Sequence, residues 1–164
     1  MSGLVKACRL GSHRVLEPAG ALPQAAWKLD ATAVARENEI LCDVEALNID
    51  SASFRQILEA SGGDESRVAQ HIVALVAERG KHHNPVTGSG GMFVGRVRTI
   101  GTALAATSEL RPGDRIASLV SLTWTPLCIE AIDRIDVTSG RIWMRGTAIL
   151  FASGIYARLP SDIA

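Results

Sequence analysis

The segment Glu39–Ile49, with the sequence EILCDVEALNI, decides the fold class of this chain. Apolar residues occupy positions 40, 42, 44 and 46, whereas carboxylates stand at positions 43 and 45. Successive side chains of a β-strand point to opposite faces, so this alternation predicts a strand with one buried and one polar face.

Outward from this strand, the chain contains further short segments with strand chemistry, separated by turns such as Pro112-Gly113-Asp114. Short strands with regular turns and one helical pair predict a mainly β domain of the α+β class, a barrel-like antiparallel sheet with helices at its rim. The predicted strands span residues 26–29, 92–100, 116–122, 128–136, 140–150 and 154–159.

Two helices are predicted directly after the 39–49 strand. The first covers residues 51–58, with Ser51 as its N-cap. The second begins at Asp64 and stops at Gly80, because apolar residues at 68, 72, 75 and 76 form one stripe and glycine favours a helix C-terminus. His71 neighbours this stripe, and we interpret it as a partly buried packing residue.

Composition excludes several classes of protein. The chain has 164 residues, enough for one domain, and its 17 Lys and Arg balance its 17 Asp and Glu. We therefore expect neither a nucleic-acid partner nor an anionic membrane surface, and no apolar run is long enough to span a bilayer. Cys8, Cys42 and Cys128 are few and widely spaced, which favours reduced thiols in a cytoplasmic protein and small core side chains.

The segment Lys81–Phe93, KHHNPVTGSGGMF, carries the most chemistry. It follows the second helix and combines adjacent histidines, a lysine and an asparagine with a glycine-rich backbone that can approach a ligand closely. A loop that only packs would not need this mixture. We interpret the segment as one wall of a small-molecule site.

Three segments resemble the GroES-like catalytic domain of the medium-chain dehydrogenase/reductases. They are residues 39–53, Gly95–Gly101 with the pattern G-x-V-x-x-I-G, and Arg111–Ile116 with the pattern P-G-D-R-I. The resemblance implies a partly open β-barrel. Residues 156–162 are similar to the linker that leads into the nucleotide-binding domain of that superfamily.

More narrowly, most of the chain is similar to the diaminohexanoate dehydrogenase family. This resemblance implies NAD-linked oxidative deamination of a small 3,5-diamino acid to a 5-amino-3-oxo acid in lysine fermentation, with NAD or NADP as cofactor. The segments that carry it are residues 13–18, 22–24, 27–30, 47–54, 79–93 and 148–156.

The chain lacks the sequence of a cofactor-binding domain. No strand–Gly-x-Gly-x-x-Gly–helix unit occurs, and Gly88–Phe93 fails that spacing and runs into a strand. We expect residues 1–164 to be the GroES-like substrate domain, inactive alone, with 157–164 beginning the linker to a Rossmann domain in cis or on a separate chain. A stand-alone binding or assembly module is the alternative, and the oligomeric state stays open.

The resemblance also bears on metal binding and on site roles. Asp50 and Gly90–Met92 stand where zinc-dependent members keep ligands, so no zinc is expected. His82 or His83 is the expected catalytic base, and His83 is preferred. Lys81 could act as the base only if desolvation lowered its pKa. The favoured interpretation of Lys81 is a solvated lysine at the end of the helix. Asp50 and Ser51 would bind the substrate ammonium and relay a proton. The carboxylate would be held by Asn84, Thr87, Gly88, Ser89, Gly90 and Gly91.

Overall fold

The computed structural model describes residues 7–162 and shows a mainly β domain with three α-helices in this range. The helices are α1 (Ser51–Ala60), α2 (Glu65–Arg79) and α3 (Thr102–Ala105). The strands are β1 (Val15–Glu17), β2 (Lys28–Leu29), β3 (Glu39–Ile49), β4 (Gly91–Ile100), β5 (Arg115–Ser118), β6 (Leu127–Asp136), β7 (Arg141–Phe151) and β8 (Tyr156–Arg158). The predicted fold class is confirmed at this level.

Six strands form one antiparallel sheet in the order β6-β7-β3-β4-β5-β8, and β1 pairs with β2 separately. The longest predicted strand, β3, lies inside the sheet between β7 and β4. Within residues 7–162, β6 and β8 end the sheet order without pairing to each other, so the sheet is not a closed barrel. None of the helices in this range is long and apolar enough to cross a membrane.

A β-bulge in β3 corrects the predicted face assignment. The pairing register shifts between Val44 and Ala46 on the β4 side and between Asp43 and Ala46 on the β7 side. Because one extra residue reverses the alternation, Leu47 and Ile49 join the main core, and Ala46 does not. Beyond the bulge, Asn48 therefore faces away from the core.

The main core lies between one face of the sheet and the two longer helices. Val68, Ile72 and Val76 of α2 pack into it, as their spacing predicted. Gly80 ends α2 with a φ of 65°, and a Cβ there would lie 2.0 Å from the carbonyl oxygen of Leu29, so only glycine fits. The predicted stop is confirmed.

Several local predictions were wrong. The Asp50 side chain, not that of Ser51, caps α1, because it accepts a hydrogen bond from Ser53 N. His71 is exposed rather than partly buried, although it lies one helical turn from Val68 and from Leu75 of the α2 stripe. The strand predicted over 116–122 ends at Ser118.

The free cysteines divide between core and surface. Cys42 is buried in the core, as expected, whereas Cys8 is only half-buried. Cys128 is exposed, which contradicts the prediction of a core side chain, because it lies on the opposite face of β6 from the buried Leu127.

A buried ion network ties the N-terminal segment to the first residue of β3. The Glu39 carboxylate accepts hydrogen bonds from Arg14 Nε at 2.8 Å and from Arg36 N at 2.8 Å. It also lies 2.6 Å from His13 Nε2, and both side chains are fully buried. Burial raises the pKa of Glu39, but the hydrogen bonds from Arg14, Arg36 and His13 outweigh it and leave this pKa below its ordinary value.

Candidate functional site

The loop before β4 meets the start of α1 at one end of the sheet. Ile49 pairs with Gly91 in the β3–β4 ladder, and Asp50 N donates to the carbonyl of Gly90 at 3.4 Å. Gly91 has a φ of 128°, and a Cβ on it would lie 2.1 Å from the carbonyl oxygen of Asn48. The close approach of the two backbones therefore explains this glycine.

Three hydroxyl groups join the helix start to the loop. Ser53 Oγ lies 2.6 Å from Thr87 Oγ1 and 3.0 Å from Ser89 Oγ, and the latter two are 3.3 Å apart. We call Ser53, Thr87 and Ser89 the hydroxyl cluster. Ser53 is fully buried and Thr87 is exposed, so the cluster leads from the interior to the surface. Ser53 was not among the predicted site residues, although it stands three residues after the N-cap Asp50.

Asp50 has one carboxylate oxygen in use and one without a partner. Oδ1 accepts from Ser53 N at 2.9 Å, whereas Oδ2 is buried and no group of the described chain bonds to it. Burial raises the pKa of Asp50, but the hydrogen bond from Ser53 N, the nearby hydroxyls of Ser53 and Ser89 and the proximity of His82 outweigh it and lower this pKa. A charged oxygen is thus held ready for a donor.

His82 is fully buried, and neither of its ring nitrogens has a hydrogen-bond partner among residues 7–162. Burial lowers its pKa to about 4, although the Asp50 carboxylate and the Gly90 backbone act in the opposite direction. The imidazole is therefore neutral near pH 7 and offers an unused lone pair.

His83 has a different environment from its neighbour. Its ring is half-buried, and its buried Nδ1 also has no partner among the described residues. Burial, followed by the charges of Lys81 and Arg79, lowers its pKa to about 4. His82 is thus associated with a carboxylate and His83 with two cations.

Lys81 is fully buried, which contradicts the interpretation of a solvated lysine at the helix end. Its Nζ donates to the carbonyls of Pro23 at 2.6 Å, Thr123 at 3.0 Å and Gln24 at 3.2 Å. Burial lowers its pKa to about 7, whereas three carbonyl acceptors favour the ammonium form. Lys81 therefore anchors two distant segments of the chain.

Two other predicted site residues lie away from the unpartnered atoms of Asp50, His82 and His83. Asn84 is buried, and its side chain donates to Gln56 Oε1 and accepts from Val86 N, both at 2.9 Å. Ser51 is exposed and lines a cavity of about 220 Å³ beside Arg55 and the β6–β7 turn. Neither side chain is brought to Asp50 Oδ2.

The unpartnered buried atoms mark the candidate site better than cavity volume does. The largest described cavity, of about 420 Å³, lies between β2 and α2 and is lined by none of the predicted site residues. Buried side-chain polar atoms are normally hydrogen-bonded, so the exceptions need an explanation. Within residues 7–162 these exceptions are Asp50 Oδ2, His82 Nδ1 and Nε2, His83 Nδ1 and Arg141 Nε.

No described group of three or more His, Cys, Asp and Glu side chains is arranged to hold a metal ion. The residues at one sheet end are instead a carboxylate and two imidazoles beside a glycine-rich loop. The class is therefore an antiparallel β domain that carries unpartnered acid–base groups at one end of its sheet.

The family follows from sequence comparison. A family model described as the L-erythro-3,5-diaminohexanoate dehydrogenase N-terminal domain matches residues 13–160. The chain belongs to this family, which confirms the resemblance noted from the sequence.

Two curated relatives support the same conclusion. The L-erythro-3,5-diaminohexanoate dehydrogenase of Acetoanaerobium sticklandii is 51% identical over 160 residues, which cover 98% of this chain and 46% of the relative. The enzyme of that name from Fusobacterium nucleatum subsp. nucleatum is 54% identical over 158 residues, or 96% and 46% of the two chains. The chain thus spans about half the length of the curated relatives it matches.

A solved structure also matches, at low similarity. It is the CurF ER cyclopropanase from the curacin A biosynthetic pathway, with a TM-score of 0.36 and 15% identity. The match covers 79% of this chain and 29% of that one.

Proposed function

We propose that this chain is the N-terminal, substrate-binding half of an NAD(P)-dependent dehydrogenase that oxidatively deaminates 3,5-diaminohexanoate in lysine fermentation. The observation that carries the proposal is the set of unpartnered buried atoms on Asp50, His82 and His83 in a member of this family. We assign the domain to the GroES-like type and regard its chemistry as independent of zinc.

Asp50 and His82 are suited to bind an ammonium group of the substrate. The free Oδ2 of Asp50 supplies negative charge, and the neutral imidazole of His82 supplies a lone pair. An ammonium group has donors for both acceptors, and hydrogen bonds between charged partners are the stronger kind. Binding of a diamino acid would therefore give hydrogen-bond partners to Asp50 Oδ2 and the His82 ring, which have none among the described residues.

Proton transfer is the second task of these residues. Oxidation of an amine-bearing carbon requires the amine to be neutral, so a base must take the ammonium proton. We assign this role to His82 rather than to His83, because the adjacent Asp50 carboxylate stabilises an imidazolium, whereas Lys81 and Arg79 oppose one at His83. The hydroxyl cluster, which ends at exposed Thr87, would carry the proton to solvent.

The dinucleotide cofactor does not fit the described part of the chain. A nicotinamide would accept the hydride, but all strand pairs in residues 7–162 are antiparallel, and the sequence has no Gly-x-Gly-x-x-Gly unit between a strand and a helix. The cofactor domain must therefore come from the remainder of the polypeptide or from another chain.

Kinetics of the natural gene product that contains this chain test the proposal. We expect His82→Ala to lower kcat about 100- to 10,000-fold, the range for a lost acid–base group. Asp50→Asn removes a charge and should mainly raise KM for the diamino acid. His83→Ala should have a much smaller effect on kcat.

The matched control is Asp64→Asn, since Asp64 caps α2 as Asp50 caps α1 but is exposed. It should leave both constants unchanged. If His82→Ala and Asp50→Asn retain the wild-type kcat and KM while the proteins are folded, the proposed site is wrong.

A further inference from the structure

Arg141, the first residue of β7, carries a guanidinium group that the described chain leaves without a hydrogen-bond acceptor. The side chain is half-buried, and its Nε is fully buried and unpartnered. Among the described residues, the guanidinium makes one cation–π contact, with Trp143, whose ring centroid lies 4.9 Å from the guanidinium carbon. Every other arginine in residues 7–162 that lacks a described acceptor is exposed.

Strand register places Arg141 on the same face and at the same end of the sheet as Asn48. The two residues are directly paired, and Asn48 also pairs with Met92 of β4. Ile142 lies in the core, so Arg141 points to the opposite face, as Asn48 does beyond the bulge. This end of the sheet is therefore lined by an amide, a thioether and a free guanidinium.

The backbones of Arg141 and Asp50 lie near one another at this end of the sheet. Adjacent strands lie about 5 Å apart, and residues two positions apart in a strand lie about 7 Å apart, so the two backbones are within about 10 Å. Asp50 presents an unpartnered anion there, and Arg141 presents an unpartnered cation. A ligand with an ammonium and a carboxylate group complements this pair.

Three of the side chains expected from the sequence to hold a carboxylate are already engaged. The Asn84 amide donates to Gln56, and the Thr87 and Ser89 hydroxyls are hydrogen-bonded to Ser53. A planar guanidinium binds a carboxylate with two parallel hydrogen bonds, which none of these groups can do.

We propose that Arg141 binds the carboxylate of the diamino acid while Asp50 binds an ammonium group at the other end of the same ligand. The inference rests on the proposed function, and it adds a specificity-determining residue. It explains why a cation is left unpartnered on a sheet whose other charged residues mostly form ion pairs.

Calorimetric binding to the natural gene product tests the inference with two probes, 3,5-diaminohexanoate and 2,4-diaminopentane, which is the same diamine without its carboxylate. Arg141→Met should weaken binding of the diamino acid about 10- to 100-fold, as expected for a lost charge-assisted hydrogen bond, and leave the diamine unchanged. Arg134→Met is the matched control: Arg134 stacks on the same Trp143 ring at 3.7 Å but is exposed, so neither affinity should change.

The outcomes separate this inference from the proposed function. If the wild type prefers the diamino acid and Arg141→Met keeps that preference, the inference fails and the Asp50 site stands. A nuclear magnetic resonance titration with 3-aminobutyrate adds a second readout. If the wild type binds neither probe but 3-aminobutyrate shifts the Arg141 Nε–H resonance, the diamino acid substrate is wrong and the carboxylate site stands. A shift with inorganic phosphate and none with 3-aminobutyrate overturns the inference.

Discussion

The two ends of β3 carry buried carboxylates in opposite situations. At the first residue, Glu39 accepts hydrogen bonds from Arg14 and from Arg36 N and contacts His13 Nε2, so both of its oxygens are used. Just after the last residue, Asp50 uses one oxygen to cap α1 and leaves the other bare beside His82, which is itself unpartnered.

This difference teaches that burial of charge does not by itself indicate function. The Glu39 network and the Asp50 site both combine a carboxylate with histidine, and both are withdrawn from water. A buried charge with every hydrogen bond made stabilises the native arrangement, whereas a bare one costs free energy until a partner arrives. Hydrogen-bond completeness therefore separates the structural end of β3 from the candidate site.

The largest effect on stability should come from removing a partner of Glu39, whose hydrogen bonds are all made. Arg14→Met leaves the Glu39 charge buried without its main partner, so we expect the free energy of unfolding to fall by about 3–5 kcal/mol. Urea unfolding measures this change. Turnover per folded molecule should stay at the wild-type level, and a loss of turnover with unchanged stability would mean that Glu39 belongs to the site.

A second, smaller effect on stability should appear at the Asp50 end of β3 as pH falls. The folded-state pKa of His82 is about 4, below the ordinary 6.5, so the unfolded chain binds more protons between these values. Stability is therefore lost as pH falls from about 6.5 to about 4, by up to about 3 kcal/mol from this group. His82→Leu should flatten the pH dependence of urea unfolding in this window, and an unchanged slope would show that His82 does not cause it.

The smallest effects on stability are expected at Asp50 and Asp64, the two aspartates that cap helices. Asp64 is exposed and accepts from Arg67 N at 3.0 Å, so Asp64→Ala should cost about 1 kcal/mol, the usual value for a lost cap. Asp50→Asn keeps an oxygen that can accept from Ser53 N, and Oδ2 of the carboxylate it replaces has no described donor, so the free energy of unfolding should change by no more than about 0.5 kcal/mol. A larger loss would mean that the Asp50 charge is structural, like that of Glu39.

Local patterns in the sequence were sufficient for the elements. The bounds of β3 and the span of α2 from its Asp64 cap to Gly80 were predicted from alternation, an apolar stripe and terminal residues. These signals are readable because a strand or helix repeats within a few residues of chain. The family was likewise evident from segments spread along the chain, and the Lys81–Phe93 segment was singled out by residue type alone.

Tertiary structure decided the roles. Lys81 reads as a solvated helix-end residue, but carbonyls at positions 23, 24 and 123, remote in sequence, enclose its ammonium group. A bulge reversed the faces of β3, and pairing with β7 brought Arg141 beside Asn48. Which polar atoms remain bare depends on every segment that packs around them, so no local pattern encodes it. The sequence by itself determined the elements and the family, and only the packed chain determined which charges are satisfied and which await a ligand.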